Sequence, residues 1–251
     1  MWLAGLLGLA VGSFLNVLID RLPKGQSVVF GRSHCDFCKK NLRWYELIPV
    51  LSFVVQRGRC RQCRKKISWQ YPVVEFVTAV GFMGIALQSQ ALEFPQSLAL
   101  VGQWLIFSSL LVIFVADLKY QIIPDSMIIA GIVGVLLQGQ AFDARQGPAL
   151  WLSGLGASAF FLLLYFLTRG RGMGLGDVKL AFFLGLLLGY PGIIVGLYAA
   201  FLTGAGAGVI LMIGKYKTWK SRVAFGPFLI IGAVITLVWK AQILAWWGNF
   251  L

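Results

Sequence analysis

Apolar runs long enough to cross a bilayer dominate this chain, and short polar interruptions separate them. A spanning helix needs about 20 mostly apolar residues, within a range of about 17–25. On that rule the pattern predicts helices near 2–19, 72–90, 98–116, 124–141, 149–168, 178–191, 192–214 and 223–246. The one long polar interval is 20–71, so the organisation reads as a first span (1–19), a loop (20–71) and a helical core (72–251). The expected fold class is an all-α polytopic membrane protein of about eight transmembrane helices. The sixth run is short, and only Tyr190-Pro191-Gly192 parts it from the seventh. One bent helix there, giving seven spans, is the alternative.

Composition agrees with this picture and removes a competing one. Charged residues make up 12% of the chain, about half the ~25% typical of soluble domains. The formal net charge of +13 would suit a nucleic-acid binder if it were spread over a surface. Instead, residues 21–71 hold twelve of the 22 Lys and Arg, opposed there only by Asp36 and Glu46. Basic residues gathered in loops fix orientation in a bilayer. With the N-terminus outside, the inner loops are 20–71, 117–123, 169–177 and 215–222. They hold every Lys and Arg except Lys179, at an inner edge, and Arg145 and Lys240 outside. The outer loop 91–97 carries Glu93 and Pro95 and no basic residue. Merging the sixth and seventh runs would turn the basic 215–222 loop outward, which counts against seven spans. No basic segment precedes the run Trp2–Ile19, and Arg21 follows it, so the first run reads as a retained span rather than a secretory signal.

The only four cysteines form two CxxC pairs, Cys35/Cys38 and Cys60/Cys63, with 21 residues between the pairs. Paired CxxC knuckles supply four thiolates to one tetrahedral ion, and four ligands leave no open position. The expected role is therefore a structural zinc clip in an inward-facing loop that is too short for its own hydrophobic core. Dense Arg and Lys help keep the sulfurs ionised, and a reducing compartment disfavours disulfides. A redox CxxC and a catalytic zinc are the alternatives; His34 beside Cys35 reads as a surface group. Gly58 is placed to turn the chain into the second knuckle. The apolar stretch Trp44–Val55 is expected on the membrane surface or as an interfacial helix.

Two carboxylates stand at ends of apolar runs: Asp117 after Phe114-Val115-Ala116, and Asp177 in Gly174-Leu175-Gly176-Asp177. Ionisable residues at a bilayer edge are functional candidates, and both fall on the predicted inner side. Two aspartates that meet share one proton, leaving one member as base and the other as acid. Gly172, Gly174 and Gly176 allow a tight turn and close backbone approach. A structural alternative for Asp177 is a first-turn acid favoured by the helix macrodipole, and for Asp117 a rim charge beside Lys119. Asp125, after Pro124, reads as a helix-start residue. No HExxH or GxSxG motif is present and His34 is the only histidine, so metalloprotease and serine-hydrolase chemistry have little support.

Taken in order, these features resemble the type IV prepilin peptidases, over nearly the whole chain. The matching segments are Gly12-Ser13-Phe14-Leu15-Asn16-Val17, Arg21-Leu22-Pro23, both CxxC knuckles, Leu47-Ile48-Pro49-Val50-Leu51-Ser52, Arg57-Gly58-Arg59, Tyr71-Pro72-Val73-Val74-Glu75, Ile123-Pro124-Asp125 and Gly174-x-Gly176-Asp177-x-Lys179. The resemblance implies a bacterial inner-membrane aspartic endopeptidase, with Asp117 and Asp177 catalytic. Such enzymes cut the basic leader from prepilins or pseudopilins, then methylate the new amine with S-adenosylmethionine. It also implies zinc on Cys35, Cys38, Cys60 and Cys63; the gathering of basic residues in one loop points to membrane lipid and not nucleic acid as a partner. Methyl-donor residues, the pilus or secretion system served and the oligomeric state stay unassigned; Glu46, Glu75 and Gly58 fit the resemblance without a physical role. A peptidase lacking methylation, and a non-enzymatic transport or assembly protein with a zinc docking loop, are the competing readings. The basic loop would oppose a basic leader and suits anionic lipid instead.

Overall fold

The computed structural model describes residues 2–35, 37–89, 96–170, 173–213 and 224–248. Those residues form helices and connecting turns and no strand: α1 (Trp2–Arg21), α2 (Leu51–Val55), α3 (Gln70–Gln88), α4 (Gln96–Tyr120), α5 (Asp125–Leu137), α6 (Gly147–Leu167), α7 (Leu175–Leu188), α8 (Gly192–Ile213) and α9 (Gly226–Gly248). Each of the eight apolar runs is a helix. Among the described residues, five stretches are long and apolar enough to cross a membrane: Trp2–Lys24, Gln70–Gln88, Ser97–Tyr120, Gly147–Leu167 and Gly192–Ile210. Asp125–Leu137 and Gly226–Trp239 are apolar but shorter. The fourth run therefore stops four residues before its expected end, where Gly139 takes the left-handed conformation (φ +76) that closes a helix. The sixth and seventh runs are separate helices, parted at Gly189–Pro191, so the single bent helix is not what forms. The predicted loops 91–97 and 215–222 fall largely or wholly outside the described residues, as do Asp36, Arg171 and Gly172.

The chain divides into two compact units, Met1–Val112 and Ile113–Leu251. In the first, α1 packs along α3 through glycines. A Cβ on Gly8 would stand 2.7 Å from Ala79 Cα, and one on Gly12 2.7 Å from Glu75 Cα. In a bilayer, lipid and Leu are equally apolar, so helices associate through close van der Waals fit, and small residues at the seam permit it. The second unit repeats the device, with Gly185 of α7 against Gly154 of α6, and Gly232 of α9 against Gly196 of α8. Outward faces remain apolar, as at Leu3, Leu6, Val73, Phe76, Leu152 and Leu163, which suits lipid.

Helix α7 is the centre of the second unit and touches α5, α6, α8 and α9. Val178, Leu180, Ala181, Phe183, Leu184, Leu186 and Leu188 are all buried. Its 14 residues span about 21 Å at 1.5 Å per residue, short of the ~30 Å hydrocarbon core. Enclosure by other helices, rather than by lipid, makes that length tolerable. Asp177 thus sits at one end of the best-packed helix of the unit.

In the first unit the loop is tied to the helices by buried Glu75, whose carboxylate accepts the Val50 N–H at 2.7 Å. Glu75, whose physical role is not legible in the sequence, thus anchors the loop through a backbone donor. Val50 has φ +59, an outlier for a β-branched residue. Within the apolar stretch Trp44–Val55 the helical pieces are a short turn at Trp44–Leu47 and the five-residue α2, with Leu51, Val54 and Val55 exposed.

Candidate active site and metal centre

The two CxxC pairs fold as matching knuckles. Lys39 N–H donates to Cys35 O at 2.9 Å and Arg64 N–H to Cys60 O at 3.0 Å. Cys35 N–H meets Lys40 O, and Cys60 N–H meets Lys65 O, at 3.0 and 2.9 Å. Lys39 and Arg64 both turn with positive φ, 56° and 54°. Each knuckle closes on one bridge, His34 with Asn41 and Arg59 with Lys66. The four sulfurs converge within 4.8 Å of one another and form no disulfide. Cys35 and Cys63 Sγ are 3.9 Å apart, close to the ~3.8 Å expected between thiolates bound tetrahedrally at ~2.3 Å. Backbone N–H groups of Cys63 and Gln62 pull the Cys60 thiol down, whereas burial and the sulfurs of Cys60, Cys35 and Cys38 push Cys63 up; crowded sulfurs of this kind need a shared cation to be ionised together. The donor set fits zinc, and exposed His34 lies outside it. Gly58 turns into the second knuckle with φ +65.

Glu46 receives a local role: its carboxylate accepts the Arg43 N–H at 2.9 Å, beginning the short helical turn Trp44–Leu47.

The aspartates belong to the second unit. Helix α4 runs to Tyr120, so Asp117 lies in its last turn instead of just past its end. Asp117 is 5% exposed, which removes the reading of a solvated rim charge. Its backbone oxygen accepts the Gln121 N–H at 2.9 Å. Its Oδ2 is buried and makes no well-formed hydrogen bond among the described residues, although the Gly226 N–H lies near the carboxyl. An orphaned buried carboxyl oxygen is costly and needs a reason. Gly226, the first residue of α9, lies against it: a Cβ there would stand 2.6 Å from Asp117 Oδ2.

Asp177 is in the first turn of α7 and 8% exposed. Its Oδ2 accepts the Gly174 N–H at 3.0 Å, so the helix-start geometry expected for it is present. That bond also fixes the carboxyl in place, and Asp117 and Asp177 lie within electrostatic reach of each other. Asp125 begins α5 and accepts Lys179 Nζ with both oxygens at 2.8 Å. Two buried carboxyls, one in the last turn of α4 and one in the first turn of α7, can share a proton and activate a water.

Sequence reasoning missed two neighbours of this pair. Gly226 precedes Pro227, a pattern that signals a helix start but not what lies opposite. Ile123 stood in a quoted motif with no assigned task; it packs against the positions of both Gly176 and Gly226.

Comparison with known proteins bears on the same residues. The family model described as Type IV leader peptidase family matches residues 104–209, and that of the Bacterial Peptidase A24 N-terminal domain matches residues 6–89. The chain is similar to a Prepilin leader peptidase/N-methyltransferase of Bacillus subtilis (strain 168), 30% identical over 96% of this chain and 94% of the relative. Proteins of the same name from Legionella pneumophila and Aeromonas hydrophila are each 32% identical over 98% of this chain and 93% of the relative. No solved structure matches.

Proposed function

Since the chain belongs to the type IV leader peptidase family, we infer that it removes the leader from prepilin-type substrates and methylates the exposed amine, with Asp117 and Asp177 as the hydrolytic pair. The observation that carries the catalytic assignment is the buried Asp117 Oδ2, which no well-formed hydrogen bond satisfies among the described residues, within electrostatic reach of Asp177. One carboxyl is ionised and takes a proton from water as the water oxygen attacks the scissile carbonyl carbon. The other, protonated, gives its proton to the carbonyl oxygen. Collapse of the tetrahedral species breaks the C–N bond: the leaving nitrogen takes a proton from the carboxyl that received one, and a hydroxyl on the tetrahedral carbon returns its proton to the other carboxyl as the C=O re-forms. The pair returns to sharing one proton.

Cys35, Cys38, Cys60 and Cys63 would hold a structural zinc, which would supply folding energy to the 20–71 loop. S-adenosylmethionine would supply the methyl group. Among the described residues there is no strand leading into a glycine-rich turn, so a dinucleotide-type cradle is not how the chain would hold that donor. The protein is a multi-pass protein of the bacterial inner membrane, with 1–19 a first span, 20–71 the zinc loop and 72–251 the peptidase core. The distribution of Lys and Arg supports a cytoplasmic position for the loop and both aspartates.

The test is cleavage of a purified model prepilin in lipid by wild type, Asp117→Asn and Asp177→Asn. Each substitution is expected to lower cleavage about 10²–10⁴-fold, the usual worth of a general acid or base. Mass spectrometry then reads leader loss and the one-methyl gain with added S-adenosylmethionine. Wild-type cleavage by either variant would end the assignment.

A further inference from the structure

The turn between α4 and α5 has a task that neither aspartate explains. It begins at Gln121, whose N–H is bound to the backbone oxygen of Asp117 at 2.9 Å. It ends at Asp125, held by Lys179 two residues beyond Asp177, with both contacts at 2.8 Å. One end is therefore tied to the helix bearing the first aspartate, and the other to the helix bearing the second. Between them stands Ile123. A Cβ built on Gly176, next to Asp177, would lie 3.2 Å from Ile123 Cβ and 3.4 Å from Cδ1. A Cβ built on Gly226, the residue against the Asp117 carboxyl, would lie 3.3 Å from the same Cδ1. One methyl group thus occupies the space that a side chain at either glycine would enter, beside each aspartate.

We propose that Ile123 is a positioning residue whose side chain sets the separation of the Asp117 and Asp177 carboxyl groups. The proposal rests on the reading of these two as the catalytic pair. Its physical content is simple. A shared proton requires a fixed spacing: carboxyls too far apart both ionise, and carboxyls too close leave no place for water. Backbone wedged by a stiff, β-branched side chain holds such a spacing better than backbone joined by an exposed ion pair. Ile123 is β-branched and has few rotamers. Asp125 and Lys179 are 62% and 51% exposed, so their contact closes the turn from outside without fixing the interior distance. The other titratable groups on the meeting elements are Lys119 and Tyr120 of α4, Asp125 of α5 and Lys179 of α7; the described first turn of α9 has none.

The experiment measures kcat, KM and the pH profile of kcat for Ile123→Ala and Ile123→Val in lipid, beside Asp117→Asn and Asp177→Asn. Misplacement by about 1 Å can cost roughly 10²-fold. Ile123→Ala is expected to lower kcat about 10–100-fold per folded molecule with KM little changed, and to change the spacing between the acid and alkaline limbs of the pH profile. Ile123→Val keeps every atom except Cδ1 and folds most safely. It is expected to give the same change of profile with a smaller loss of kcat. A residue that only stabilised the fold would lower the melting temperature and leave both limbs in place. Wild-type kcat and limbs in folded Ile123→Val and Ile123→Ala, with the two Asn variants inactive, would overturn the role of Ile123 alone. Active Asn variants would instead remove the catalytic reading beneath it.

Discussion

The two chemical centres of this protein are assembled in opposite ways. The cysteine cluster takes its ligands from two short knuckles whose geometry repeats twenty-five positions apart, down to the positive φ at Lys39 and Arg64 and the bridges His34–Asn41 and Arg59–Lys66. Each knuckle closes on itself through bonds between residues four or five apart. The aspartate site draws on the end of α4, the turn after it, and the starts of α7 and α9. The start of α7 fixes the Asp177 carboxyl by its own Gly174 N–H, but what the Asp117 carboxyl meets depends on side-chain bulk at one position and its absence at two others. A centre built from local hydrogen bonds survives small changes elsewhere but depends on its ion. A centre built by packing needs no ion but is sensitive to single carbon atoms.

The largest test of this contrast is metal removal. Structural zinc contributes about 10–16 kcal/mol to the folding of zinc-finger peptides at pH 7, far more than a loop of this size gains otherwise. Strong chelation, or Cys60→Ser with chelation, is expected to abolish protection of the 31–66 segment from proteolysis while helix content from the spans persists. Metal analysis should find one zinc per chain before treatment and none after. A segment that stays protected without metal would show that the knuckles hold themselves, and the contrast would fail on its local side.

Next in size is one added carbon at the packed centre. Gly226→Ala puts a Cβ 2.6 Å from Asp117 Oδ2, closer than real carbon–oxygen contacts come, so the carboxyl or the start of α9 must move. Cleavage is expected to fall roughly 10²-fold in a protein that still folds. Gly156→Ala in α6 is the control: nothing lies within 4 Å of its Cβ, and alanine is the better helix former by about 1 kcal/mol. It should leave the rate unchanged. Equal rates for Gly226→Ala and Gly156→Ala would mean the Asp117 carboxyl has room that the packing denies it.

How much of each centre could be read in advance follows from the same difference. Cys35, Cys38, Cys60 and Cys63 announce a metal site because ligand spacing is a sequence-local property. Asp117 and Asp177 stood out because charge beside apolar runs is rare, and the helices bearing them were legible from hydropathy. Ile123 and Gly226 were not, since an Ile before Pro124 and a Gly before Pro227 carry no mark of what they face across the unit. The same blindness hid the glycine seams: Gly8 and Gly12 against α3, and Gly185 against Gly154, matter through their partners. Hydropathy also overstated the fourth run, because it scores apolarity past the Gly139 turn that ends α5. It could not tell α7, enclosed by helices, from a helix facing lipid.

The smallest expected effect separates packing from charge within the aspartate site. Asp125 and Lys179 meet at 2.8 Å, a geometry that looks like a strong clamp on the turn holding Ile123. Both side chains are more than half exposed, and exposed pairs are typically worth about 0–1 kcal/mol and are screened by salt. Asp125→Asn removes the charge and keeps a polar side chain of nearly the same shape. Cleavage is expected to fall less than about fivefold, the equivalent of ~1 kcal/mol. The difference from wild type should shrink further as salt is raised toward 1 M, where the screening length is about 3 Å. A loss as large as that of Gly226→Ala, unchanged by salt, would mean that the spacing of the carboxyls is held from outside by charge. The packed centre would then resemble the cysteine loop more than its buried contacts suggest, with a few polar bonds near the surface holding the chemistry in register.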